Sequence, residues 1–82
     1  MNQYIATFHT HLAALMTSRT LAREDIPVQM APVPRRLSSS CGTCVRYQAE
    51  TPCLEAMDED VESVYLQTEG EQYTQVHINH TR

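Results

Sequence analysis

Apolar runs and period-2 alternation along the chain predict five short strands. Residues 4–8 and 28–31 are rich in apolar side chains, long enough for a strand and too short for an independent helix. Residues 44–49 alternate, which predicts a strand with one core-facing side and directs Cys44 away from it. The core-facing positions of that strand are Val45, Tyr47 and Ala49. Pro32 and Pro34 predict that the second strand lies at a sheet edge.

The last two strands form a predicted hairpin within residues 64–78. Its polar turn contains Glu69, Gly70 and Glu71. A three-residue loop pairs Leu66 with Thr74 and Val64 with Val76, which keeps the apolar residues on one face.

Helical periodicity appears in residues 11–24, where Thr10 is a candidate N-cap. The predicted buried stripe consists of Ala14, Leu15, Ser18, Leu21 and Ala22. The predicted water-facing positions include Thr17, Thr20, Arg23 and Glu24. Thr51 and Pro52 predict a second, short helix over residues 52–57 with Cys53 in its first turn.

This order of elements, β-α-β-β-α-β with an added hairpin strand, predicts an α+β ferredoxin-like two-layer sandwich spanning residues 1–82 as one domain. A right-handed crossover brings the first strand–helix loop, with His9 and His11, to the same end of the sheet as Cys41. Cys53 is expected at the opposite end.

Composition narrows the class of protein. The chain has 82 residues and a formal charge of −4, which disfavours nonspecific binding to nucleic acid. Three cysteines without a secretion signal favour reduced thiols in a soluble cytoplasmic protein, and no segment is apolar enough to predict a membrane span. A chain this short buries a small core, which leaves room for a homodimer.

Residues 34–44 hold the candidate chemistry. Arg35 and Arg36 supply positive charge, three serines and a glycine follow, and Cys41 and Cys44 form a Cys-x-x-Cys pair. Cations and hydrogen-bond donors favour the nucleophilic thiolate over the thiol. The sequence therefore predicts a reactive Cys41.

Several stretches resemble a bacterial family of small domains described as putative selenium/sulfur carrier protein-like. The residues that carry the resemblance are Phe8 to His11, Ile26, Pro27 and Val28, and the pattern Pro-Arg-x-x-Ser-Ser-x-Cys-Gly, here Pro34, Arg35, Ser38, Ser39, Cys41 and Gly42. The resemblance extends to about Tyr47. It implies a ferredoxin-like cytoplasmic domain that exchanges sulfur or selenium with donor and acceptor proteins.

In this hypothesis Cys41 accepts the cargo atom as a persulfide and Cys44 is a candidate resolving thiol. The domain acts as a carrier more than as an enzyme with its own substrate, and needs no cofactor. The residues expected to stabilise the perthiolate anion are His9, Thr10, His11, Arg35, Arg36, Ser38, Ser39, Ser40 and Gly42.

Two alternatives stay open. The domain could be a non-catalytic binding or dimerisation module, or the Cys-x-x-Cys pair could be a redox sensor or a metal site. His9, His11, Cys41 and Cys44 could supply four zinc ligands, but only one close ligand pair is present, so no metal is expected. The acidic residues Asp58, Glu59, Asp60 and Glu62 are interpreted as a solvated loop.

Overall fold

The computed structural model describes residues 1–79. These residues form a five-stranded antiparallel sheet with one α-helix. The elements in chain order are β1 (Asn2–Phe8), α1 (His11–Arg23), β2 (Val28–Pro32), β3 (Thr43–Ala49), a 3₁₀ turn (Leu54–Ala56), β4 (Val61–Gln67) and β5 (Tyr73–Ile78). The strand order is β2-β3-β1-β4-β5. The edge position predicted for β2 is confirmed. No helix among residues 1–79 is long and apolar enough to cross a membrane.

Helix α1 begins where the sequence predicts, because the Thr10 hydroxyl accepts a hydrogen bond from the Ala13 amide at 3.1 Å. Its buried face is rotated from the predicted stripe. Thr17 is buried and Ala22 is exposed, so both assignments are wrong. The reason lies outside the helix: the Thr17 hydroxyl accepts a hydrogen bond from the Asp58 amide at 2.9 Å, so Thr17 faces the segment between the 3₁₀ turn and β4.

The core lies between α1 and one face of the sheet. Alternate residues of β1 and β3 point into it, and Tyr4 stacks on Tyr47 with ring centroids 5.4 Å apart. The largest contributors from the strands and helix are Tyr4, Phe8, Leu21, Val45, Tyr47 and Val64. The core-facing side predicted for β3 is therefore confirmed.

The opposite face of the sheet is also covered near its centre. Ile5 and Thr7 alternate with the core residues of β1, yet both are buried, as are Cys44 and Ser63 on neighbouring strands. Ser38, from the loop between β2 and β3, lines a depression on this face together with Thr7 and Ser63. The loop that carries the candidate chemistry therefore lies against the side of the sheet that the helix leaves uncovered.

The predicted second helix is wrong. Residues 52–57 contain only the 3₁₀ turn, and Cys53 before it has a left-handed backbone with φ of 54°. The Cys53 amide donates to the Thr51 hydroxyl, and the Tyr47 hydroxyl donates to the Pro52 carbonyl. These local hydrogen bonds stabilise a turn. A helix of six residues would form too few backbone hydrogen bonds to be more stable than that turn.

The β4–β5 hairpin confirms part of the predicted register. Thr68 and Gln72 close a three-residue loop, and Leu66 lies opposite Thr74. Val64 pairs with His77 instead of Val76, because the register shifts between Val64 and Tyr65. The irregularity places an extra residue in β5, as in a β-bulge, and Val76 is 40% exposed.

Candidate functional site

The cysteine loop, residues 33–42, connects β2 to β3 and is closed by backbone hydrogen bonds. The Val33 amide donates to the Gly42 carbonyl at 3.1 Å, and the Leu37 amide donates to the Pro34 carbonyl at 3.0 Å. Gly42 has φ of 76°, in the left-handed region that favours glycine. This turn directly after Cys41 leads the chain back into β3.

Cys41 is half-buried at the end of the sheet where β1 finishes. Its side chain packs against the edge of the helix-side core, and its thiol donates to the Thr43 carbonyl at 3.5 Å. The Ser39 hydroxyl lies 3.9 Å from the sulfur and donates to the Phe8 carbonyl at 3.0 Å. The thiol is thus held between the loop and the end of β1, in a residue that is only partly buried.

Glu62, near the start of β4, reaches the cysteine loop. Its carboxylate accepts hydrogen bonds from the Ser40 amide at 3.1 Å and the Ser40 hydroxyl at 2.6 Å. His9 Nδ1 lies 3.3 Å from the same carboxylate and 3.4 Å from the Ser40 hydroxyl oxygen. Burial alone would raise the pKa of Glu62, but the hydrogen bonds from Ser40 and Ser39 and the nearby His9 outweigh it and hold that pKa below its usual range.

The other predicted residues near the first strand–helix loop have defined contacts. His11 Nδ1 lies 3.4 Å from the hydroxyl of Thr43, the residue whose carbonyl accepts the hydrogen bond from Cys41. The Thr10 hydroxyl is engaged as the cap of α1. The structure therefore brings His9 and His11 to the Cys41 end of the sheet, as the topology predicts.

The surroundings of Arg36 lie away from Cys41. Arg35 and Arg36 are both exposed, and Arg36 lines a shallow depression together with Glu71 and Tyr73 at the start of β5. That strand start lies at the end of the sheet opposite Cys41. The immediate polar contacts of the Cys41 sulfur are instead the Ser39 hydroxyl and the Thr43 carbonyl.

The other two thiols are buried. Cys44 is 0% exposed, lies on the sheet face opposite the helix and donates to the Pro32 carbonyl. Burial raises the pKa of the Cys44 thiol, although the guanidinium of Arg46 acts in the opposite direction. Cys53 is 8% exposed and lies beyond the far end of β3. All three cysteines are free, and the two thiols of the Cys-x-x-Cys pair face different sides of the sheet.

Among residues 1–79, no three His, Cys, Asp or Glu side chains come together in a way that could hold a metal ion. Of the four zinc ligands considered from the sequence, Cys44 contacts a carbonyl on the other face of the sheet. His9 faces Glu62, and His11 faces Thr43.

Residues 3–73 match the family described as putative Se/S carrier protein-like. The chain belongs to this family. The segment shared with the Se/S carrier protein-like family contains the whole cysteine loop and Glu62, and it ends at the first residue of β5. No curated protein and no solved structure matches the chain.

Sequence reasoning missed Glu62 and interpreted it as part of a solvated acidic loop. Asp58 is also engaged, since its carboxylate accepts a hydrogen bond from the Asp60 amide at 2.9 Å. The strand pairing could have predicted the position of Glu62. If β4 pairs antiparallel with β1, its first residues lie beside the end of β1, where His9 and the cysteine loop meet. A carboxylate at that position faces the backbone amides of the loop.

Proposed function

We propose that this domain carries sulfur or selenium as a persulfide or selenosulfide on Cys41. The observation that supports this most directly is the difference in access among the three thiols. Cys41 is half-buried, whereas Cys44 is 0% and Cys53 8% exposed. A carrier needs one thiol that a donor and an acceptor can both reach, and membership of the family supports the same role.

The transfer is a nucleophilic exchange that leaves the number of sulfur atoms and electrons unchanged. The Cys41 thiolate attacks the terminal sulfur of a donor persulfide, the donor S–S bond breaks, and the donor leaves as a thiolate. Cys41 then carries the terminal sulfur. An acceptor thiolate attacks that sulfur in turn, the Cys41 S–S bond breaks, and the Cys41 thiolate is restored.

Ionisation of Cys41 removes its hydrogen bond to the Thr43 carbonyl, because a thiolate has no proton to donate. The Ser39 hydroxyl is then the nearest side-chain donor, provided that it turns from the Phe8 carbonyl. We propose that Ser39 and the backbone around Gly42 stabilise the anionic forms. The roles of Thr10, His9, His11, Arg35, Arg36, Ser38 and Ser40 stay predictions.

Cys44 is an unfavourable resolving thiol in this arrangement. It faces the other side of the sheet, and its burial favours the neutral thiol over the thiolate that would attack Cys41. Release of the cargo to an acceptor thiol from another protein requires no change in the position of Cys44.

The topology favours a reduced form of the ferredoxin-like sandwich. What supports this proposal is the order β2-β3-β1-β4 with antiparallel neighbours. The connection from β3 to β4 holds a 3₁₀ turn in place of the predicted second helix. This crossover returns the chain to the Cys41 end, where β4 begins.

We propose a cytoplasmic location, in keeping with reduced thiols, and donor and acceptor proteins that dock at the Cys41 end. Leu12 is 65% exposed on the first turn of α1. The adjacent His11 lies beside Thr43. Leu12 therefore offers apolar contact area at the Cys41 end of the sheet.

The test is the intact mass of the protein after incubation with a small-molecule persulfide donor. We expect a gain of one sulfur atom in the wild type and in Cys53→Ser, and no gain in Cys41→Ser. Uptake that persists without Cys41, or that is absent from the wild type, would contradict the carrier function.

The second candidate is a dimerisation module without chemistry. The observation in its favour is the open edge of β5, where Val76 and Ile78 are 40% and 45% exposed. A concentration-independent monomer mass in solution would contradict this candidate and leave the carrier function intact.

A further inference from the structure

The cysteine loop is tied to β4 through the carboxylate of Glu62. Ser40, the residue before Cys41, gives this carboxylate both its amide and its hydroxyl, at 3.1 and 2.6 Å. The Ser39 hydroxyl, one residue earlier, lies 3.9 Å from the Cys41 sulfur and donates to the Phe8 carbonyl. The residue directly before the thiol is thus held at two atoms by one side chain from another strand.

We propose that Glu62 is the positioning residue for Cys41, because its carboxylate fixes Ser40, the residue directly before the thiol, and thereby sets how the thiol is presented. This role rests on the carrier function proposed above. Glu62 does not touch the sulfur or the cargo. Its effect on transfer comes through the position of the loop.

The geometry explains why a charge is needed. An ionised carboxylate accepts at both oxygens, and hydrogen bonds to an anion are shorter and stronger than neutral ones. The Glu62 side chain is 20% exposed, so solvent competes only partly for its oxygens. A neutral side chain at this position has one acceptor oxygen and cannot hold the Ser40 amide and hydroxyl in the same way.

The hydrogen bonds between Glu62 and Ser40 should depend on pH, because Glu62 is a titratable group. Among the described residues, the other titratable side chains that line the depression beside Glu62 are His9 from the end of β1 and Tyr65 from β4. The cysteine loop contributes Ser38, and β5 and the segment after it contribute the uncharged Gln75, Ile78 and Asn79. Protonation of the carboxylate should therefore loosen the loop in a way that a purely steric contact would not.

The experiment compares amide hydrogen exchange of residues 33–42 and the rate of sulfur uptake from a small persulfide in four proteins. These are the wild type, Glu62→Gln, Ser40→Ala and the control Glu59→Gln. Glu59 is an exposed acid three residues before Glu62, in the segment that leads into β4, so the control removes the same charge without touching the loop. Ser40→Ala changes an exposed loop residue and keeps the amide hydrogen bond, which guards against a Glu62 variant that fails to fold.

We expect Glu62→Gln to speed loop exchange about tenfold, which corresponds to ~1.4 kcal/mol. Sulfur uptake should slow while Glu59→Gln matches the wild type. Ser40→Ala should shift loop exchange in the same direction by a smaller factor. In the wild type, protection of the loop amides should decrease as the pH is lowered and Glu62 becomes protonated. In Glu62→Gln it should stay constant over the same pH range.

Loop exchange that is equal in Glu62→Gln and the wild type would overturn the proposal, and so would faster exchange with unchanged sulfur uptake. A wild type that takes up no sulfur would overturn the carrier function and the positioning role with it. The two failures are distinguishable, because hydrogen exchange reports the loop without any reaction at Cys41.

Discussion

Cys41 and Cys53 lie at opposite ends of the sheet, yet the atoms that touch their sulfurs are nearly the same. Each sulfur lies near the hydroxyl two residues earlier, at 3.9 Å for Ser39 and 3.8 Å for Thr51. Each thiol donates to a backbone carbonyl, at 3.5 Å for Thr43 and 3.4 Å for Thr51. The immediate hydrogen bonds therefore do not distinguish the two sites.

The two sites differ in the residues that surround these direct contacts of the sulfur. Beyond Cys41 are an ionised carboxylate, a serine and an imidazole at a half-open surface, whereas Cys53 is 8% exposed beside Tyr47. Burial raises the pKa of Tyr47, so its hydroxyl remains a donor to the Pro52 carbonyl. Access and attachment to a charged network, more than the contacts of the sulfur itself, separate a candidate carrier thiol from a structural one.

The largest expected effect is a difference in thiol alkylation. In the wild type, Cys41 should react more than about tenfold faster than Cys44 or Cys53, because the buried thiols must wait for local opening. Alkylation followed by mass spectrometry in the three single Cys→Ser variants measures this. If the fast phase is lost in Cys53→Ser and kept in Cys41→Ser, then Cys53 is the reactive thiol and the prediction is wrong.

The Cys53 end can be altered alone by Tyr47→Phe. Removal of the hydroxyl leaves the Pro52 carbonyl without its donor and should cost about 1–2 kcal/mol in urea unfolding. Alkylation of Cys53 should become faster, while that of Cys41 should stay the same. Tyr65→Phe, at a half-buried tyrosine of β4, is the control, and an equal loss of stability there would show that the effect is not specific to this hydrogen bond.

Partner docking should also differ between the ends. Leu12→Ser should slow sulfur transfer from a protein donor by roughly three- to tenfold, since it removes apolar contact area beside the thiol. Uptake from a small-molecule persulfide should be unaffected. Leu54→Ser is the matched control, because Leu54 is 40% exposed at the Cys53 end. Equal slowing by both variants would argue against docking at the Cys41 end.

The smallest effect is the pH dependence of stability. The pKa of Glu62 is lowered in the folded state, so its contribution is present above the ordinary glutamate pKa of about 4.3 and is lost as pH falls through the lower folded value. The wild type should be more stable than Glu62→Gln at neutral pH, and the gap should narrow in acid. Denaturation across this range measures the gap, and a constant difference would contradict the assignment.

Local pattern in the sequence was sufficient for the elements with strong periodicity. The Thr10 cap, the alternating strand β3, the three-residue hairpin loop and the edge position of β2 all follow from short-range rules. Glu62 and Thr17 could not be placed in this way. Each takes its position from a partner far along the chain, Ser40 for Glu62 and Asp58 for Thr17.

The sequence by itself determined that a cysteine with a following glycine and preceding serines would lie in a loop near His9 and His11. Only the tertiary structure decided which thiols are accessible, because the exposure of Cys41 and Cys44 depends on which face of the sheet each reaches. It also decided that Glu62 holds the loop. A carboxylate becomes a specific acceptor only when the chain brings it to amides and hydroxyls that share its partly desolvated position.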